Sequence, residues 1–124
     1  VAKAIALEDD LMFLSRIREA ARATGAEVVV ARSREALLEA CRAEPPGVVL
    51  ADLDSPRLAA IGAIRALKAE PALAGIPVVG FFSHVHEALA REAQAAGCER
   101  VLARSAFVRE LPRLLAEAGA SEPA

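Results

Sequence analysis

The sequence predicts an α/β protein: a three-layer α/β/α sandwich built on a parallel sheet. Short β-branched runs alternate five times with longer Ala/Leu/Arg/Glu segments, which is the pattern of βα units. Two of the runs are apolar nearly throughout, as strands are when helices cover both faces of a sheet. At 124 residues the chain has room for one core and is too short for two ordinary domains.

The first strand is expected over residues 2–7 (AKAIAL). The first helix follows, with Leu14, Ile17 and Ala21 at helical spacing, Asp10 placed as its N-cap and Gly25 as its C-terminal stop. The second strand is AEVVVA, residues 26–31, and the helix after it starts at Ser33, buries Leu37, Ala40 and Cys41, and ends at the Pro45, Pro46, Gly47 turn. GVVLAD, residues 47–52, is the third strand, followed by a helix carrying Leu58, Ile61 and Ile64. IPVVGFF, residues 76–82, is the fourth; its helix is capped by Ser83, carries Val85, Leu89 and Ala93, and stops at Gly97. The last pair is ERVLA, residues 99–103, and a helix capped by Ser105 with Phe107, Leu111, Leu114 and Ala118 inward.

Composition excludes several function classes. Acidic and basic residues nearly balance at a net charge of −2, and four Phe are the only aromatic residues, so no basic or stacking footprint for DNA or RNA is present. Cys41 and Cys98 stand far apart with no CxxC spacing; they read as small buried hydrophobes in a reduced, cytoplasmic protein rather than as zinc ligands or a disulfide. No apolar stretch approaches a membrane span, and the N-terminus lacks a signal-peptide pattern. With Val rather than Met at position 1, the chain reads as a stand-alone protein or as one piece of a longer one.

The chemistry concentrates at strand ends. In an open α/β sheet, ligands bind outside the carboxyl ends of the strands, where the connections reverse direction. Glu8 and Asp9 follow the first strand, and Asp52 closes the third. If those strands are neighbours, three acids share one rim, and each charged pair at roughly 6 Å repels by about 3 kcal/mol at an effective dielectric near 20. A hard divalent cation such as Mg²⁺ compensates that repulsion, because it takes oxygen ligands and keeps several waters. His84 and His86 do not make a second metal site: two residues apart at a helix start, their side chains diverge by about 200°.

IALEDD at the first strand, VVLADLDSP at the third, PVVGFFS at the fourth and VLARSAF at the fifth resemble the receiver domain of bacterial two-component response regulators, the CheY-like superfamily. The similarity runs from about Lys3 to Gly119, which sets a domain over residues 1–119 and a flexible tail over 120–124. It implies a flavodoxin-like sheet of order 2-1-3-4-5. By resemblance, Glu8 and Asp9 form the acid pair that helps bind Mg²⁺. Asp52 is the acceptor of a phosphoryl group from a histidine kinase or phosphotransfer protein, Asp54 supplies a backbone carbonyl to the metal, and Pro56 is the turn proline. A downstream protein partner, and a homodimer through the fourth helix, fifth strand and fifth helix, are also implied; contact with nucleic acid or membrane is not.

Three features depart from the family pattern. Counting from Pro77, the hydroxyl residue expected on the fourth strand is Phe82, with Ser83 one place further on, and a shift of one residue turns a side chain to the other sheet face. The expected Lys-Pro after the fifth strand is Arg104 and Ser105, and the aromatic switch position is Val101. Lys3 and Lys68 are the only lysines, and Arg104 presents a bulkier, planar fork in place of an ammonium. Phe82, Ser83 and Arg104 are therefore the candidate phosphate-contacting or switch residues. Two readings stay open: a signalling receiver phosphorylated on Asp52, and a pseudo-receiver that binds partners without phosphate. A phosphatase of the haloacid-dehalogenase type, suggested by DLD after an apolar strand, lacks the later lysine and acidic pair, so the chain is not read as an enzyme.

Overall fold

The computed structural model describes residues 2–83 and 87–121. Five strands and five helices alternate: β1 (Lys3–Leu7), α1 (Leu11–Thr24), β2 (Glu27–Ala31), α2 (Arg34–Ala43), β3 (Val48–Asp52), α3 (Ala60–Ala69), β4 (Val78–Phe82), α4 (Glu87–Ala96), β5 (Arg100–Ala103) and α5 (Arg104–Ser121). All strand pairs are parallel, in the order β2-β1-β3-β4-β5. The chain moves outward from β1 to β2, then crosses back to β3 on the other side of β1. The switch point therefore lies between β1 and β3, and the register Leu7↔Ala51 puts Glu8 beside Asp52.

The sheet is apolar on both faces because each strand feeds two cores. In β3, Val48 and Leu50 pack toward α1 and α5, whereas Val49 and Ala51 pack toward α2, α3 and α4. This period-2 division is why the run reads as continuously hydrophobic. Leu14 and Ile17 of α1 and Leu37 of α2 are fully buried, and each contributes about 1.5–3 kcal/mol relative to an exposed side chain.

Caps set the entry of two helices. Asp10 accepts hydrogen bonds from Met12 N at 3.0 Å and Phe13 N at 3.2 Å, and Ser33 Oγ accepts from Ala36 N at 3.0 Å; both satisfy first-turn amides that have no intrahelical partner. Gly25 ends α1 at φ 74°, a left-handed conformation that a Cβ disfavours. Gly47 is required for a different reason: a Cβ there would lie 1.9 Å from the Ala118 carbonyl oxygen of α5.

Several local expectations are corrected. Ser105 lies inside the first turn of α5, which begins at Arg104, so it does not precede that helix as a cap. Leu58 is buried but sits in the turn before α3, a turn that passes through Ala59 at φ 44°. The fourth strand begins at Val78 rather than at Ile76. His84, Val85 and His86 lie outside the described residues, and with them the expected capping of the fourth helix by Ser83. The expected tail also lies outside them from residue 122 on, and α5 runs to Ser121.

Candidate functional site

Parallel pairing of β1 with β3 brings three acids together. Glu8 is fully buried, Asp52 is 3% exposed and Asp9 is half-buried. One carboxylate oxygen from each lies within 4.8 Å of the others. Glu8 Oε1 accepts the Asp10 N–H at 3.0 Å, Asp9 Oδ2 accepts the Ser55 hydroxyl at 3.0 Å, and Asp52 Oδ1 accepts the Asp54 N–H at 2.8 Å. Glu8 Oε2 is buried without a hydrogen-bond partner among the described residues.

Burial pushes the Glu8 carboxyl up from 4.5 to about 8, and the adjacent carboxylate of Asp52 adds to the effect by hydrogen bonding and by charge; the Asp10 amide and Arg104 oppose it. Two ionised carboxylates share no hydrogen, so a proton on Glu8 supplies the donor that its contact with Asp52 otherwise lacks. A cation is the alternative. An all-oxygen donor set, an orphaned buried oxygen and three converging acids fit a hard divalent ion that retains water. They do not suit a soft metal, which prefers sulfur or imidazole.

Arg104 closes the other side of the rim. Its Nη2 lies 3.6 Å from Asp52 Oδ2 and 3.7 Å from Asp54 Oδ2, beyond hydrogen-bonding distance of either. The guanidinium rests on an aromatic floor, with Cζ 4.4 Å from the Phe13 ring centre and 5.9 Å from that of Phe81. Phe81 in turn stacks on Phe107 at 4.2 Å. Cation–π attraction thus holds the charge beside the acids without spending its N–H donors.

The fourth-strand candidates separate. Phe82 is 3% exposed and, by strand alternation, faces away from the side on which Phe81 packs; it brings no hydroxyl to the rim. Ser83 does face an acid, with its N and Oγ both donating to Asp54 Oδ2 at 2.7 Å. The Asp54 carboxylate, for which the sequence suggested only a backbone role, therefore joins the turn after β3 to the end of β4. Sequence reasoning also missed Ser55 against Asp9 and Phe13 under Arg104. The former is signalled only by a hydroxyl in the loop after Asp52, the latter by an aromatic residue in the first turn of α1.

A doubly wound five-stranded sheet with an acidic pocket at the tips of β1 and β3 is the architecture of the receiver fold. No family model matches the chain, and no curated protein matches it. Solved structures do. The phosphorylated cyanobacterial phytochrome response regulator RcpA is 25% identical, covering 92% of this chain and 88% of its own, with a TM-score of 0.76. A response regulator from Burkholderia multivorans is 25% identical over 100% of this chain and 98% of its own, with a TM-score of 0.74. The Mn²⁺-bound form of the response regulator Rcp1 is 16% identical over 92% and 91%, with a TM-score of 0.78. The chain has the CheY-like receiver fold of response regulators, as its motifs suggested.

Proposed function

We propose that this chain is a phosphoacceptor receiver, a signalling switch in which Asp52 takes a phosphoryl group with the help of Mg²⁺ held by Glu8, Asp9 and Asp52, and by the Asp54 carbonyl. The observation that carries the reading is the convergence of three buried or half-buried acids on one point. Fully ionised, such a cluster is unfavourable unless a cation joins it. Two of the similar structures are consistent with it by their own chemistry: one is phosphorylated and one holds Mn²⁺.

Each residue has a distinct task in this reading. Asp54 N fixes Asp52 Oδ1, leaving Oδ2 as the nucleophile; it forms a bond to phosphorus as the bond from phosphorus to the donor breaks and the donor leaves with its electron pair. A divalent ion in the pocket would neutralise charge on the phosphoryl oxygens. Arg104, whose Nε is buried without a hydrogen-bond partner among the described residues, donates to the phosphoryl oxygens that its fork can reach. Positioning and neutralisation carry most of phosphoryl transfer, so the chain needs no general base and is a signalling domain rather than an enzyme with turnover.

The donor is a histidine kinase or a phosphotransfer protein. Leu11 and Met12, 69% and 84% exposed at the start of α1, supply apolar contact area beside the rim for such a partner. A downstream protein, and a second copy of the chain through α4, β5 and α5, complete the proposed partners, in a cytoplasmic setting. No helix among the described residues is long and apolar enough to cross a membrane.

A second reading, the pseudo-receiver, is favoured by Phe82. A buried phenyl group stands where a hydroxyl would contact the phosphoryl group. Incubation with Mg²⁺ and a small acyl-phosphate donor, read by intact mass, separates the two. A single phosphoryl adduct on the wild type and none on Asp52→Asn supports the phosphoacceptor; no adduct on either, under conditions that modify an ordinary receiver, supports the pseudo-receiver.

A further inference from the structure

The Asp54 side chain makes more contacts than a loop acid needs. Its Oδ2 accepts both the N–H and the hydroxyl of Ser83 at 2.7 Å, and the same oxygen lies 3.7 Å from Arg104 Nη2. That nitrogen is 3.6 Å from Asp52 Oδ2. One cationic nitrogen is thus nearly equidistant from two carboxylates and hydrogen-bonded to neither. Phe13 supports the guanidinium from below at 4.4 Å, so the charge is held between the acids without being committed to one.

We propose that Asp54 is a positioning residue: it couples the charge carried at Asp52 to the placement of Ser83, with Arg104 as the shared counter-ion. The physical basis is competition for one oxygen. Removing the negative charge of Asp52 leaves Asp54 as the one acid at ion-pair distance from Arg104 among the described residues, and Arg104 moves onto Asp54 Oδ2, where it competes with the two bonds from Ser83. Adding negative charge at Asp52 draws Arg104 the other way and leaves Asp54 to Ser83 alone. The two changes therefore move Ser83, the residue at which the chain leaves β4, in opposite directions. A carboxylate that merely anchors Ser83 responds to neither.

The coupling is a property of the resting chain; it rests on the phosphoacceptor reading only for the event that adds charge to Asp52. It is tested by NMR of the Ser83 amide in the wild type, Asp52→Asn, Arg104→Gln and the double variant, with the β2 amides reporting that each is folded. Asp52→Asn is expected to weaken the Ser83 N–H bond, moving its proton upfield and speeding its exchange with water by about fivefold or more, the usual scale of coupling between sites. In the Arg104→Gln background the same substitution should leave Ser83 unmoved. An unchanged Ser83 signal in Asp52→Asn, or an equal response with and without Arg104, overturns the proposal. A further arm adds Mg²⁺ and an acyl-phosphate donor to the wild type and should shift Ser83 downfield. An adduct on Asp52 without that downfield shift also overturns the coupling, whereas absence of an adduct contradicts only the phosphoacceptor reading and leaves the variant comparison decisive.

Discussion

Replacing Glu8 by Gln in the metal-free protein should raise its stability at high pH and do little at low pH. The folded protein binds the Glu8 proton more tightly than the unfolded chain does, because the carboxyl is pushed from 4.5 to about 8 by burial and by Asp52. Its stabilising contribution is therefore fully present below pH 4.5 and is lost as pH rises through about 8. At about 1.4 kcal/mol per pH unit, the interval between those values sets a ceiling on the order of 5 kcal/mol. Access of water at the rim reduces this to roughly 2–3 kcal/mol between pH 5 and pH 9. Urea unfolding in EDTA at pH 5, 7 and 9 measures it for the wild type and for Glu8→Gln, and other titrating groups cancel in the difference. The variant should gain on the wild type as pH rises. Adding Mg²⁺ at about a hundred times its dissociation constant should return about 2.7 kcal/mol to the wild type and less to the variant. A difference that stays constant across pH, or that shrinks as pH rises, would refute the assignment of Glu8 as a buried, acid-paired carboxyl.

Three further outcomes follow from the packing. Gly47→Ala should cost at least about 3 kcal/mol in urea unfolding, since its Cβ meets the Ala118 carbonyl at 1.9 Å and only displacement of α5 can relieve it; a near-neutral result would mean that α5 does not sit against that turn. Lys68→Met should cost about 1–3 kcal/mol, because Lys68 Nζ bonds the carbonyls of Ala74 at 3.0 Å and Ile76 at 2.7 Å; a stability equal to wild type would contradict those bonds. Cys41 and Cys98 are buried, and desolvation pushes both thiols up to about 11, so an aromatic disulfide reagent at pH 8 should modify them only at the rate of unfolding, and prompt reaction of the native protein would contradict their burial.

The parts of this molecule that depend on one stretch of chain were legible in its sequence. The strands could be placed because β-branched runs are short and bounded, and the caps at Asp10, Ser33 and Gly25 because each acts within a few residues of itself. Contacts made across the fold left no such trace. Nothing near Asp54 indicates that its carboxylate meets Ser83, 29 residues away. Likewise the seat of Arg104 on Phe13 depends on how α1 and α5 lie over β4. Ser105 was misread because a serine before an apolar periodic run resembles a cap, whereas α5 follows β5 without a loop and absorbs it. The acidic pocket fell between these cases. Its members were visible as strand ends, but their meeting depends on β1 pairing with β3 rather than on any local signal.

The central claim is that Glu8, Asp9 and Asp52 together bind one divalent ion. Titration of the isotopically labelled chain with Mn²⁺, read as paramagnetic broadening of amide signals, tests it most directly. One ion per chain, with broadening centred on residues 8, 9 and 52–54 and abolished by Asp9→Asn, is the predicted result. Broadening centred elsewhere on the surface, or none at these residues, would contradict it.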